Sequence, residues 1–174
     1  MNLGQTMLSA GALVLLTILV INAHRLVVQS GDAAVSAEAA QVGIDLAQSL
    51  LDEIQTKKFD QFADTSGSQA VSEFTAPASL GPGAGESFTL PDTIIYKSIG
   101  KYNDVDDYHG YTRNTAVGQF AGYQLSVTVV YVDDDDPDVV VATRTYTKRV
   151  QVTVINSKYF KNMTFAAVVS YSSS

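Results

Sequence analysis

Apolar residues run almost unbroken from Met1 to Ala23, and the stretch LGQTMLSAGALVLLTILVI between Leu3 and Ile21 carries no charge. At about 1.5 Å per helical residue, such a run covers roughly the 30 Å of a bilayer core, so the pattern predicts a membrane-spanning helix. A cleaved secretory signal would show a basic n-region, a shorter apolar core and a small-x-small site. None of these is evident before or after the run. His24 and Arg25 follow it, and the positive-inside tendency weakly favours a cytoplasmic C-terminal end.

Beyond the break-prone Ser30-Gly31-Asp32, where Asp32 would serve as N-cap if the helix is interrupted, Val35, Ala39, Val42, Leu46, Leu50 and Ile54 recur at spacings of three and four. Glu38, Asp45, Asp52 and Glu53 fall elsewhere on that surface, so an amphipathic helix ending near Lys58 is expected, with Lys57 and Lys58 complementing its dipole. Unbroken, residues 5 to 57 would form a helix about 80 Å long, apolar all round in its first half and striped in its second.

The pattern then changes period. Residues 59 to 93 are rich in Gly, Ser, Thr and Pro and predict a long loop region. Phe88 to Leu90 and Thr93 to Ile99 suggest short strands. Tyr123 to Val132 alternates strictly, with Leu125, Val127, Val129 and Tyr131 on one face. After the turn Asp133 to Asp138, strands are predicted at Val139 to Thr143, at Thr145 to Ile155 with Tyr146, Lys148, Val150, Val152 and Val154 on one face, and at Thr164 to Tyr171. The expected class is α+β: a helical segment, 1–58, packed through its stripe on an antiparallel β-domain, 59–174, that carries long loops.

Composition narrows the chemistry. The formal net charge is −7, most of the acidic residues follow residue 31, and no basic face is evident, which argues against a nucleic-acid partner. The chain contains no Cys, which excludes disulfides, thiolate nucleophiles and Cys-based metal sites. With two His, no P-loop and no Gly-x-Ser-x-Gly elbow, no enzyme activity is predicted. In the loop Asn103 to Gly110, Asp104, Asp106 and Asp107 form an oxygen-rich cluster of the type that suits Ca²⁺. It lacks the EF-hand register, so a solvated acidic turn is the simpler reading; otherwise no cofactor is expected.

Three further stretches carry a resemblance. Gly4 directly precedes the apolar helix; Ala37 to Phe59 reads AEAAQVGIDLAQSLLDEIQTKKF; and Tyr146 to Asn156 reads YTKRVQVTVIN. This organisation resembles type IV pilins and the pseudopilins of type II secretion. The resemblance implies a pilin-like fold and prepilin-peptidase cleavage between Gly4 and Gln5. It also implies assembly through the helix bearing Met7, Leu8, Ser9, Leu13, Val14, Leu16, Ile18 and Val20. Ser9 stands where the family usually has glutamate, and Met1 to Leu3 bear no basic side chain. The expected role is a structural filament subunit, held in the cytoplasmic membrane and then polymerised at the cell surface by a pilus or secretion assembly machinery. The alternatives are a minor pseudopilin and a monomeric membrane-anchored binding module.

Overall fold

The computed structural model describes residues 2–63, 69–93 and 95–172. One helix, α1 (Leu3–Gln55), is followed by loops, a short helix α2 (Ser98–Lys101) and four strands, β1 (Thr112–Val117), β2 (Phe120–Tyr131), β3 (Thr147–Asn156) and β4 (Phe160–Ser170). The chain divides into two compact units, Met1–Ala39 and Ala40–Ser174. The architecture is α+β, with one four-stranded antiparallel sheet in the order β1-β2-β3-β4.

In the first unit the helix is not interrupted at the break-prone Ser30-Gly31-Asp32: α1 runs through it and Asp32 is not a cap. A single helical Gly costs about 1 kcal/mol relative to Ala, too little to break a helix supported on both sides. The hydroxyls within the apolar run bond back to the helix itself. Thr6 Oγ1 donates to Leu3 O, Ser9 Oγ to Gln5 O and Thr17 Oγ1 to Leu13 O, at 2.8, 2.9 and 2.8 Å. These side chains therefore present no unmet donor to an apolar surrounding.

In the second unit, α1 contributes a buried stripe made of Gly43, Ala47, Leu50 and Ile54, flanked by half-buried Val42 and Leu46. Leu50 and Ile54 of the predicted stripe are buried as expected, Gly43 and Ala47 take the places beside half-buried Val42 and Leu46, and Val35 is exposed. Gly43 lies close under β4: a Cβ there would lie 2.8 Å from Phe160 Cζ and 3.0 Å from Met163 Cε, so those two side-chain ends would have to shift.

The sheet is a meander, and its register fixes one apolar face. Leu125 pairs with Val154, Val127 with Val152, Val129 with Val150 and Tyr131 with Lys148. Met163, Phe165, Ala167 and Val169 of β4 lie opposite Val154, Val152, Val150 and Lys148. Arg113 of β1 lies opposite Leu125. The buried face therefore includes two cations, Arg113 and Lys148, among valines and tyrosines. The outer face is mostly polar, with Ser126, Thr128, Gln151 and a Thr153–Thr164 hydroxyl pair at 3.1 Å.

Three predicted strands are absent, and one strand had no prediction. Residues 88 to 90 form a loop. Of Thr93 to Ile99, Ile94 lies outside the described residues and the end of the segment enters α2. Pro91 has no N–H to donate to a ladder, so pairing here is limited to Asp92, which bridges Arg113. Val139 to Thr143 forms no strand: it bridges Val132, just past β2, through Val140, and Val141 N–H donates to Tyr131 O at 3.1 Å. The rest of that edge is already occupied: Gly110 N–H donates to Val127 O, Val127 N–H donates to Tyr111 O, and the His109 ring lies against the backbone of Val129. β1, with the sequence TRNTAV, had no apolar alternation to announce it.

Candidate functional site

Two features stand out, one in each unit. The first is the apolar surface of α1 from Leu3 to Val28. Met7, Leu8, Leu13, Val14, Leu16, Ile18 and Val20 are 51–79% exposed, and Ser9 is exposed among them. Monomeric soluble proteins rarely present a continuous apolar surface of this extent. This is also the one helix among the described residues long and apolar enough to cross a membrane, with a mean hydropathy of 2.1 over its best window. Gly4 and Gln5 lie in the first helical turn, where the Gln5 N–H bonds Asn2 O at 2.9 Å. Such end turns open at little cost.

The second feature is a pair of buried charge clusters in the unit Ala40–Ser174. At one end of the sheet, Arg113 Nη2 lies 2.7 Å from Glu53 Oε2 of α1 and donates to Ser98 Oγ at 3.0 Å. Arg113 Nε donates to Tyr111 OH at 2.8 Å, and the guanidinium stacks 3.7 Å above the Tyr96 ring. Glu53 Oε1 accepts from Tyr108 OH and Ser98 Oγ at 2.8 and 2.7 Å, and Tyr111 OH donates to Asp92 Oδ2 at 3.0 Å. Burial pushes the Tyr108 and Tyr111 hydroxyls up, so both remain neutral donors.

At the other end, Lys148 is wholly buried and its three N–H groups are all used. They reach Phe59 O at 2.9 Å, Asp60 Oδ2 at 3.0 Å and Asp106 Oδ1 at 2.5 Å. The ammonium lies 4.2 Å from the Phe59 ring centre and 4.9 Å from that of Tyr131. The two carboxylates differ in surroundings. Burial works to raise Asp60, but Lys148 and the N–H groups of Phe62 and Thr75 outweigh it and hold the carboxyl below its usual range. Burial pushes Asp106 up to about 7 despite Lys148, and its Oδ2 has no partner.

The three aspartates singled out for calcium therefore face inward. Asp104 Oδ1 accepts the N–H groups of Asp106 and Asp107, and Asp107 Oδ2 accepts those of Asn103 and Asp104. Asp106 is paired with Lys148. These carboxylates close the loop on itself, and among the described residues no group of three or more acidic or histidine side chains is arranged to hold a metal. By contrast, Asp133 Oδ1 accepts from Asp135 and Asp136 at an exposed turn.

Lys148 stood in the alternating run of β3 at an inward position otherwise filled by Val and Tyr, so a buried lysine was legible there. Asp60, Glu53 and Arg113 carried no comparable signal. Comparison with family models, with curated proteins and with solved structures returns no match for this chain.

Proposed function

We propose that the chain is a structural subunit of a type IV pilus-like filament, held in a membrane by the first half of α1 and polymerised by packing those helices together. The observation that carries this reading is the exposed apolar surface from Leu3 to Val28 on a helix that continues without a break to Gln55. A plain anchor has no need of the buried stripe that α1 contributes to the second unit. Gly11, Ser9, Ala10 and Ala12 allow close helix approach, and exchange of lipid for helix contacts then rests on shape repeated along the assembly. With Ser9 bonded to its own backbone and no acid at that position, assembly here relies on packing and not on neutralising a neighbour's N-terminal amine.

The test is direct. Filaments sheared from cells that make the chain should contain it, and mass spectrometry of its N-terminus should begin at Gln5. A chain that retains residues 1 to 4 and never sediments with filaments would instead support a monomeric anchored module.

A further inference from the structure

Lys148, Asp60 and Asp106 are buried together, placing an amine against two carboxyl groups beside the Phe59 and Tyr131 rings. The Lys148 side chain is 0% exposed, as is that of Asp60, and Asp106 is 3% exposed. A buried ion pair is usually the end of such a description. Here the two acids are held in different ways. Asp60 is saturated as a carboxylate, accepting from Phe62 N–H, Thr75 N–H, Thr75 Oγ1 and Lys148, with Tyr131 OH 3.4 Å away. Asp106 is bound by Lys148 through Oδ1, and Oδ2 is buried with no partner among the described residues, a position that suits a departing oxygen.

We propose that Lys148 and Asp106 condense within the folded chain into an intramolecular amide crosslink, with Asp60 as the proton carrier. Asp60 carboxylate takes a proton from the Lys148 ammonium, and the freed Nζ lone pair attacks Cγ of the protonated Asp106 carboxyl. The C–N bond forms, the C–O bond to Oδ2 breaks, and one water leaves. Before the step, the ammonium, the Asp60 carboxylate and the Asp106 acid hold four exchangeable protons and no net charge. After it, the amide N–H holds one, water two and Asp60 one, again with no net charge, so no outside reagent is needed.

Several features of the site favour the reaction. Moving the proton to Asp60 removes two buried charges at once, which offsets part of the cost of protonating a carboxylate held by four hydrogen bonds. That Asp106 is held up at about 7 keeps much of it in the reactive acid form near neutrality. Phe59 O, accepting one N–H, fixes the direction of the amine. The fold holds the reactants together, and effective molarities of up to about 10⁵–10⁸ M replace the entropy that opposes amide formation between free partners. Exclusion of water protects the product from hydrolysis. The bond would join β3 to the loop before β1, closing a covalent ring across the sheet's buried face.

Intact-mass measurement of the purified full chain in detergent tests this without any variant. The expected mass is lighter than the sequence by one water, after allowance for N-terminal processing. Protease digestion should then yield a branched peptide joining the Lys148 and Asp106 segments. Lys148→Arg, which keeps the charge but not the nucleophilic amine, should restore the full mass. Asp60→Asn should leave a mixture that converts slowly. A wild-type chain of full mass after prolonged incubation in the folded state would overturn the proposal, as would a branch mapped to Asp60 in place of Asp106.

Discussion

Removal of Glu53 offers the sharpest test of the idea that the α1 end is locked to the sheet by charge and not by apolar contact alone. In Glu53→Ala, the Arg113 guanidinium, 5% exposed, loses its 2.7 Å carboxylate partner, and Tyr108 OH, in a fully buried residue, loses the acceptor at 2.8 Å. Stranding a buried charge costs about 3–5 kcal/mol, and an unsatisfied buried hydroxyl about 1–3 kcal/mol. Glu53 is 13% exposed, so water can enter the gap left by its side chain, and Arg113 keeps Tyr111 and Ser98. The sum therefore lies near the low end, about 4 kcal/mol. For a unit of this size that corresponds to a fall in melting temperature on the order of 12 °C. Near-ultraviolet circular dichroism of the full chain in detergent reads the tyrosines directly. Arg113→Met removes the other charge, and the double variant should be about 2 kcal/mol more stable than the sum of the two single losses predicts. A drop of less than about 3 °C in Glu53→Ala, about 1 kcal/mol, or strict additivity in the double variant, would refute the argument.

Other outcomes follow from the same geometry. Burial first, and then the charge of Asp107, push Asp104 up to about 7 from 3.8. Its folded value exceeds its unfolded one, so its contribution to stability is complete below pH 3.8 and is lost as the pH rises through 7. The urea midpoint should fall across that window in the wild type, and Asp104→Asn should flatten the fall; a midpoint that climbs over the same range in both proteins would contradict it. At Gly43, Ala should be close to neutral, because a helix gain of about 1 kcal/mol offsets the displacement of Phe160 and Met163. Leu at the same site should destabilise by about 1–3 kcal/mol in urea titration, and an unchanged midpoint for Leu would show that β4 does not pack there. Leu16→Arg should cost about 2.5–3.5 kcal/mol of membrane insertion at the helix centre, read as a shift of the chain from the membrane to the soluble fraction. An equal membrane share would remove the anchor reading.

Much of the fold was legible along the chain because long, strongly periodic segments leave few alternatives. The uncharged run to Ile21 and the three-four spacing to Ile54 required a helix, and the alternation of Tyr123 to Val132 and of Lys148 to Val154 required strands with one buried face. Short segments were decided elsewhere. Val139 to Thr143 has strand composition, but the edge of β2 it needed was taken by Gly110, Tyr111 and β1. TRNTAV has little strand pattern, yet it pairs because Arg113 finds Glu53 across the core.

The candidate sites divide in the same way. That an apolar surface would need covering by lipid or by sister helices was a property of local composition, and the large apolar side chains from Leu3 to Val28 are indeed exposed. That Asp106 would turn inward to Lys148 could not be read locally, because the two lie 42 positions apart and meet only through the register of β3 with β2 and the path of the 102–111 loop. Hydrophobic periodicity is set by each residue's immediate neighbours, whereas the pairing of buried charges depends on which distant segments the packed core brings together. Local periodicity was enough to specify the apolar helix and the sheet's two faces, whereas the acids that meet Arg113 and Lys148 were selected by the packing of distant segments.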